Sequence, residues 1–67
     1  MKRVKLNTLK RGDYFTLVPT DSPRESQVYV KDSYDRYSGK YCVYRFSDIS
    51  SSRLISGDDL VYTDFIF

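Results

Sequence analysis

The chain contains no histidine, no tryptophan and no alanine, and it has one cysteine and one methionine. Without an imidazole there is no Ser-His-Asp or Cys-His nucleophile, and the usual zinc ligand sets cannot be assembled. One cysteine excludes a disulfide framework. The longest uninterrupted apolar run is the four residues Tyr41-Cys42-Val43-Tyr44. That is far short of the roughly 20 residues a membrane-spanning helix needs. The basic start, Met1 to Lys5, leads into no apolar stretch of signal-peptide length, so a cytoplasmic protein without membrane contact is expected. A lone thiol in a strand-like run fits a reducing compartment and reads as a small core hydrophobe.

What is present is equally limiting. The 67 residues make one domain at most, residues 1–67, too short for a two-lobed enzyme or a dinucleotide-binding unit. A chain of this size buries only about 60% of the surface its unfolded form exposes, so its large side chains are needed for stability. Those are seven tyrosines and four phenylalanines. Alanine, the best helix former, is missing, whereas Val, Ile, Thr, Tyr and Phe are frequent, which favours strands.

Turn residues cut the chain into five expected strands. They run from about Tyr14 to Val18, Gln27 to Ser33, Lys40 to Phe46, Arg53 to Ser56, and Leu60 to Phe67. The second and third read as a long hairpin across Ser33 to Gly39, and the fourth and fifth as a tight hairpin across Gly57 to Asp59. Leu6 and Leu9 suit a turn plugging one end, and Ser47-Asp48-Ile49 a helical turn. In the third strand, Cys42, Tyr44 and Phe46 alternate with Tyr41, Val43 and Arg45. The first set carries no charge and is expected inward, although a one-residue slip reverses the assignment. Five short strands in this length predict an all-β, partly open SH3-like barrel, with the OB fold as alternative.

Leu9-Lys10-Arg11-Gly12-Asp13-Tyr14-Phe15 resembles the Leu-x-x-Gly-Asp-x-apolar segment of many SH3-like barrels. There the glycine permits a positive-φ turn and the aspartate satisfies turn amides. That segment continued to Leu17, with Ser26-Gln27-Val28-Tyr29-Val30, Tyr34-Asp35-Arg36 and Gly57-Asp58-Asp59-Leu60-Val61-Tyr62, resembles small single-domain proteins of Bacteroides-type bacteria and their phages. The resemblance spans most of the chain. It implies a cytosolic accessory protein of phage or mobile-element origin, and it carries over no catalytic or binding residue.

Charge is unevenly distributed. Lys2, Arg3, Lys5, Lys10 and Arg11 lie in the first twelve residues without an acid, whereas Asp48, Asp58, Asp59 and Asp64 oppose only Arg53 from Phe46 onward. Such asymmetry is either ordinary solubilising charge, a steering field for an anionic partner, or a basis for head-to-tail self-association into a homo-oligomer. Between Tyr29 and Arg45, tyrosines and bases interleave: Tyr29, Lys31, Tyr34, Arg36, Tyr37, Lys40, Tyr41 and Arg45. With the third strand facing as assigned, Tyr29, Lys31, Tyr41 and Arg45 share an outer face with Tyr14, and Tyr34 to Lys40 add a mobile basic edge. Three readings stand. The tyrosines are cross-strand cover for a small barrel; they are contact area for a protein partner; or they stack bases of a single-stranded nucleic acid while the cations hold phosphates. Asp32 and Asp35 and the modest net charge of +2 weigh against the last.

Two familiar triplets have simpler explanations as turns. Arg11-Gly12-Asp13 matches an integrin motif and Gly57-Asp58-Asp59 a polymerase motif, neither with its required context. Asp58, Asp59 and Asp64 lack calcium-loop spacing, and there is no glycine-rich phosphate loop. No Ser, Thr or Lys has an activating neighbour at readable spacing. The expectation is a non-enzymatic interaction module with no cofactor or metal, most simply binding a protein.

Overall fold

A computed structural model describes residues 1–67. The chain is all-β, with six strands: β1 (Lys2–Lys5), β2 (Tyr14–Thr16), β3 (Val28–Asp35), β4 (Lys40–Arg45), β5 (Asp48–Ile55) and β6 (Leu60–Thr63). Two 3-10 turns, Leu6–Thr8 and Glu25–Gln27, complete the regular structure. All strands belong to one sheet of order β1-β6-β2-β3-β4-β5, and every pairing is antiparallel. The outer strands β1 and β5 do not pair, so the sheet stays open. No helix is long and apolar enough to cross a membrane.

The sheet is strongly bent. β1 and β4 stand four places apart in the strand order. In a flat sheet that is about 19 Å at ~4.8 Å per strand. Yet a Cβ on Gly57 would lie 2.9 Å from the Tyr41 ring of β4 and 3.1 Å from Asn7, just past β1. Asn7 N–H also donates to the Gly57 carbonyl, and Leu6 N–H to that of Asp59. The bend creates the core. Leu6, Phe15, Tyr29, Val43, Ile55 and Val61 supply one residue each from the first 3-10 turn and from β2 to β6, with Val4, Leu9, Leu17 and Tyr41 packed around them. Period-two alternation then puts the neighbours of these residues on the outer face. There Thr16, Val28 and Val30 are also buried. Edge-to-face contacts among Tyr14, Phe46 and Phe67 lie on that side, with centroids 4.9–5.8 Å apart.

Several expectations hold in position. Gly12 has φ +93°, and the Asp13 carboxylate accepts the Lys10 N–H at 2.8 Å, as the Gly-Asp segment implies. The expected strands at Tyr14, Gln27, Lys40 and Leu60 are present with shifted ends. Others are corrected. The sheet has six strands, not five, because the charged Lys2–Lys5 segment pairs with β6. The short fourth strand is the eight-residue β5, and Ser47-Asp48-Ile49 belongs to the β4–β5 hairpin rather than to a helical turn. β5 and β6 form no hairpin, since the turn at Gly57–Asp59 packs on Asn7 and carries the chain to the far side of the sheet. β1 pairing with β6 also sets the basic start beside the acidic end within one molecule.

Candidate functional site

The β3–β4 hairpin holds eight of the nine candidate contact residues, and its local geometry sorts them. Registers Tyr29↔Arg45, Lys31↔Val43 and Tyr34↔Tyr41 place these six residues on one face. Val43 is wholly buried, so this face is the inner one. The expected facing of the third strand is therefore reversed. Tyr41, Val43 and Arg45 turn toward the core, whereas Cys42 and Tyr44 are half-buried on the outer side and Phe46 is partly exposed there. Tyr14 pairs with Val30 on that outer face, away from Tyr29. The expected outer platform of Tyr14, Tyr29, Lys31, Tyr41 and Arg45 does not exist.

Charge goes inward because each cation finds an acceptor within the fold. Lys31 is 5% exposed. Its Nζ donates to the Leu9 carbonyl and lies 4.2 Å from the Tyr41 ring centroid. Burial pulls its pKa below the usual lysine value, and Asp13 opposes that in part. Arg45 Nη2 donates to the Tyr29 hydroxyl at 3.2 Å. This bond, with help from Arg53, holds the phenol below its ordinary pKa against the opposing effect of burial. Tyr29 itself is 7% exposed and stacks on Phe15 at 5.9 Å, so it is a core residue.

A bulge re-aims the end of the hairpin. Between Lys31↔Val43 and Tyr34↔Tyr41 the register shifts by one residue on β3. Strict alternation from Lys31 would put Tyr34 on the outer face; the extra residue turns it toward Tyr41, with ring centroids 5.1 Å apart. Beyond it, Arg36–Gly39 form the turn. The Asp35 carboxylate accepts the Tyr37 N–H at 3.1 Å and the Ser38 hydroxyl at 3.0 Å, and the Asp35 carbonyl accepts the Gly39 N–H at 2.9 Å. Ser38 Oγ in turn accepts the Lys40 N–H. Gly39 supplies the φ of +70° that closes the turn. On this braced frame the Tyr37 ring is fully exposed and Tyr34 about half exposed. Arg36 and Lys40 are exposed, and neither forms an ion pair. Both acids of the region are engaged elsewhere, Asp35 in the turn and Asp32 with Arg11 at 3.1 Å.

The hairpin thus brings Tyr34, Arg36, Tyr37 and Lys40 together at an exposed tip, leaves Tyr41 half-buried at its base, commits Tyr29 and Lys31 to the interior, and turns Arg45 to the inner face half-buried. Sequence reasoning missed Arg53 of β5, which pairs with Val43 and adds positive charge near the Tyr29 phenol. It also missed a cleft of about 230 Å³ lined by Leu17, Val18, Ser26, Gln27 and Tyr29. The only available signal for the cleft was Leu17 as an inward-alternating residue at the end of β2. No group of three His, Cys, Asp or Glu side chains converges as a metal site. No protein-family model matches the chain, and no curated protein or solved structure does.

Proposed function

We propose that this chain is a non-enzymatic interaction module that binds a protein partner through the tip of the β3–β4 hairpin. Tyr37 and Tyr34 supply contact area, and Arg36 and Lys40 pair with acidic groups of the partner. One observation carries the reading: a fully exposed tyrosine, of no use to the core, stands on a turn held by four internal hydrogen bonds. Tyrosine gives a large contact area for two side-chain torsions, and a braced turn has little freedom left to lose on binding. The two free cations, with the nearby acids engaged internally, favour an acidic surface as the complement.

The fold reading that accompanies this proposal is an SH3-like one. Four consecutive antiparallel neighbours, β2 to β5, with a last strand returning beside the first, support it. A reducing cytosol suits the free, half-buried thiol of Cys42.

The test is photo-crosslinking in cells, with p-benzoylphenylalanine placed at position 37 and, as a control, at the exposed Ile49 of the β4–β5 hairpin. A discrete, nuclease-resistant, protease-sensitive adduct from position 37 alone is expected. A nuclease-sensitive adduct assigns the tip to nucleic acid instead. Identical adducts from both positions, or none from position 37, sink the proposal.

A further inference from the structure

Tyr29 joins two features that the hairpin tip does not use. Its ring forms one wall of the 230 Å³ cleft, whose other lining is Leu17, Val18, Ser26 and Gln27. Cleft sites for drug-sized ligands span roughly 300–1,000 Å³, so this one suits a single side chain rather than a cofactor. The Tyr29 hydroxyl also accepts from the Arg45 guanidinium at 3.2 Å, and Arg53, paired with Val43 on the neighbouring strand, lies on the same face of the sheet. Neither arginine has an ion-pair partner; the chain's two ion pairs, Met1 ammonium with Asp21 and Arg11 with Asp32, lie elsewhere. Asp48 stands opposite Arg45 in the strand register and their charges favour each other, but they form no ion pair, and the carboxylate instead accepts the Ser50 N–H and hydroxyl. Arg45 Nε is shielded from solvent and has no hydrogen-bond partner at all. A shielded cationic donor without an acceptor is costly to maintain, and a ligand that supplies the acceptor removes that cost.

We infer that this is a second recognition site, for an acidic peptide. An apolar side chain of the peptide fills the cleft, and a neighbouring carboxylate takes the two arginines. Guanidinium and carboxylate match in planar, two-point geometry, which gives the site its selectivity for a carboxylate over a neutral amide. The site is independent of the hairpin tip, since none of its residues lies between Tyr34 and Lys40.

The test is an NMR titration of the intact chain with three blocked hexapeptides: alternating Leu-Asp, its Leu-Asn counterpart and its Ser-Asp counterpart. With the Leu-Asp peptide, shifts are expected at Leu17, Val18, Tyr29 and the Arg45 side-chain Nε–H. The Leu-Asn and Ser-Asp peptides should each bind about tenfold more weakly. Arg53→Gln, at an exposed position that leaves the core intact, should weaken the Leu-Asp peptide to a similar degree. Tyr37→Ala should not, which separates this site from the proposed function of the tip. Equal binding of all three peptides overturns the inference, as do shifts confined to other residues. So does a short oligonucleotide or phosphopeptide perturbing these positions when the Leu-Asp peptide does not.

Discussion

Removing the Asp35 carboxylate tests whether the braced turn is what presents Tyr37. In Asp35→Ala two hydrogen bonds vanish, those from the Tyr37 N–H and the Ser38 hydroxyl. The Lys40 N–H bond to Ser38 Oγ loses its anchor as well. At about 0.5–1.5 kcal/mol each, the two direct bonds contribute about 1–3 kcal/mol to the closed turn. Full coupling of that sum to global unfolding would lower Tm by about 4–8 °C per kcal/mol in a domain of this size. Because the turn is exposed, most of the effect should instead be local fraying. The expected result is amide exchange at Tyr37 and Lys40 faster by about tenfold or more, a Tm loss of only a few degrees, and weaker crosslinking from position 37. Asp35→Asn serves as the control for charge. It keeps one carbonyl acceptor for the Tyr37 N–H while removing the same negative charge, so it should retain most of the protection. If Asp35→Ala leaves exchange at Tyr37 unchanged, or if the Asn variant frays equally, the turn is not held by the carboxylate and the preorganisation argument fails.

Three further outcomes are expected. Gly57→Ala should cost about 1–3 kcal/mol by overpacking, because the new Cβ meets the Tyr41 ring at 2.9 Å and that ring is held between Lys31 and Tyr34; thermal unfolding reads it, and an unchanged Tm contradicts the packing described. Phe15→Ala, at a fully buried site, should cost about 3–5 kcal/mol, comparable to the whole stability expected of so small a core, so circular dichroism at 25 °C should show a largely unfolded chain; a cooperative near-wild-type transition would refute the central place of Phe15. Lys31 binds its proton less tightly folded than unfolded, so the unfolded chain holds more protons in the window between its depressed pKa and its ordinary value. Stability from this residue therefore rises with pH across that window, and denaturant unfolding at a series of alkaline pH values should show the rise shrink in Lys31→Met; an unaltered pH slope would mean that Lys31 is not desolvated.

Much of the fold was legible because turn chemistry is local. Gly12 and Asp13 act as their identities require, and the β3–β4 hairpin falls where Tyr-rich alternation meets Ser38-Gly39. Facing was not legible. In β4 both alternating sets contain aromatic or apolar residues, so the single charge of Arg45 decided the assignment. In the folded chain that charge is satisfied by the Tyr29 hydroxyl on the adjacent strand, a partner invisible without the register. Lys31 misleads for the same reason, since its acceptor is a main-chain carbonyl 22 residues away. β1 escaped notice because Val4 is its only apolar residue, and charged side chains are normal on an edge strand. The full length of β5 is hidden because Ser50-Ser51-Ser52 has the composition of a loop, and Ile49 to Ser51 do lack partners on β4. The one-residue bulge that brings Tyr34 to Tyr41 has no sequence signature of its own. Exposure of the tip was legible because it does not depend on strand facing, but the expected mobile edge is a turn held by internal hydrogen bonds.

The account turns on whether the tip residues are surface kept for a partner rather than for the fold. The most direct measurement replaces Arg36, Tyr37 and Lys40 together by serine, then compares Tm and affinity for the protein crosslinked from position 37. An unchanged Tm with affinity reduced by about thirtyfold or more, as for loss of an interface tyrosine anchor, is the expected result. Unaltered affinity, or a variant that has lost its fold, would contradict it.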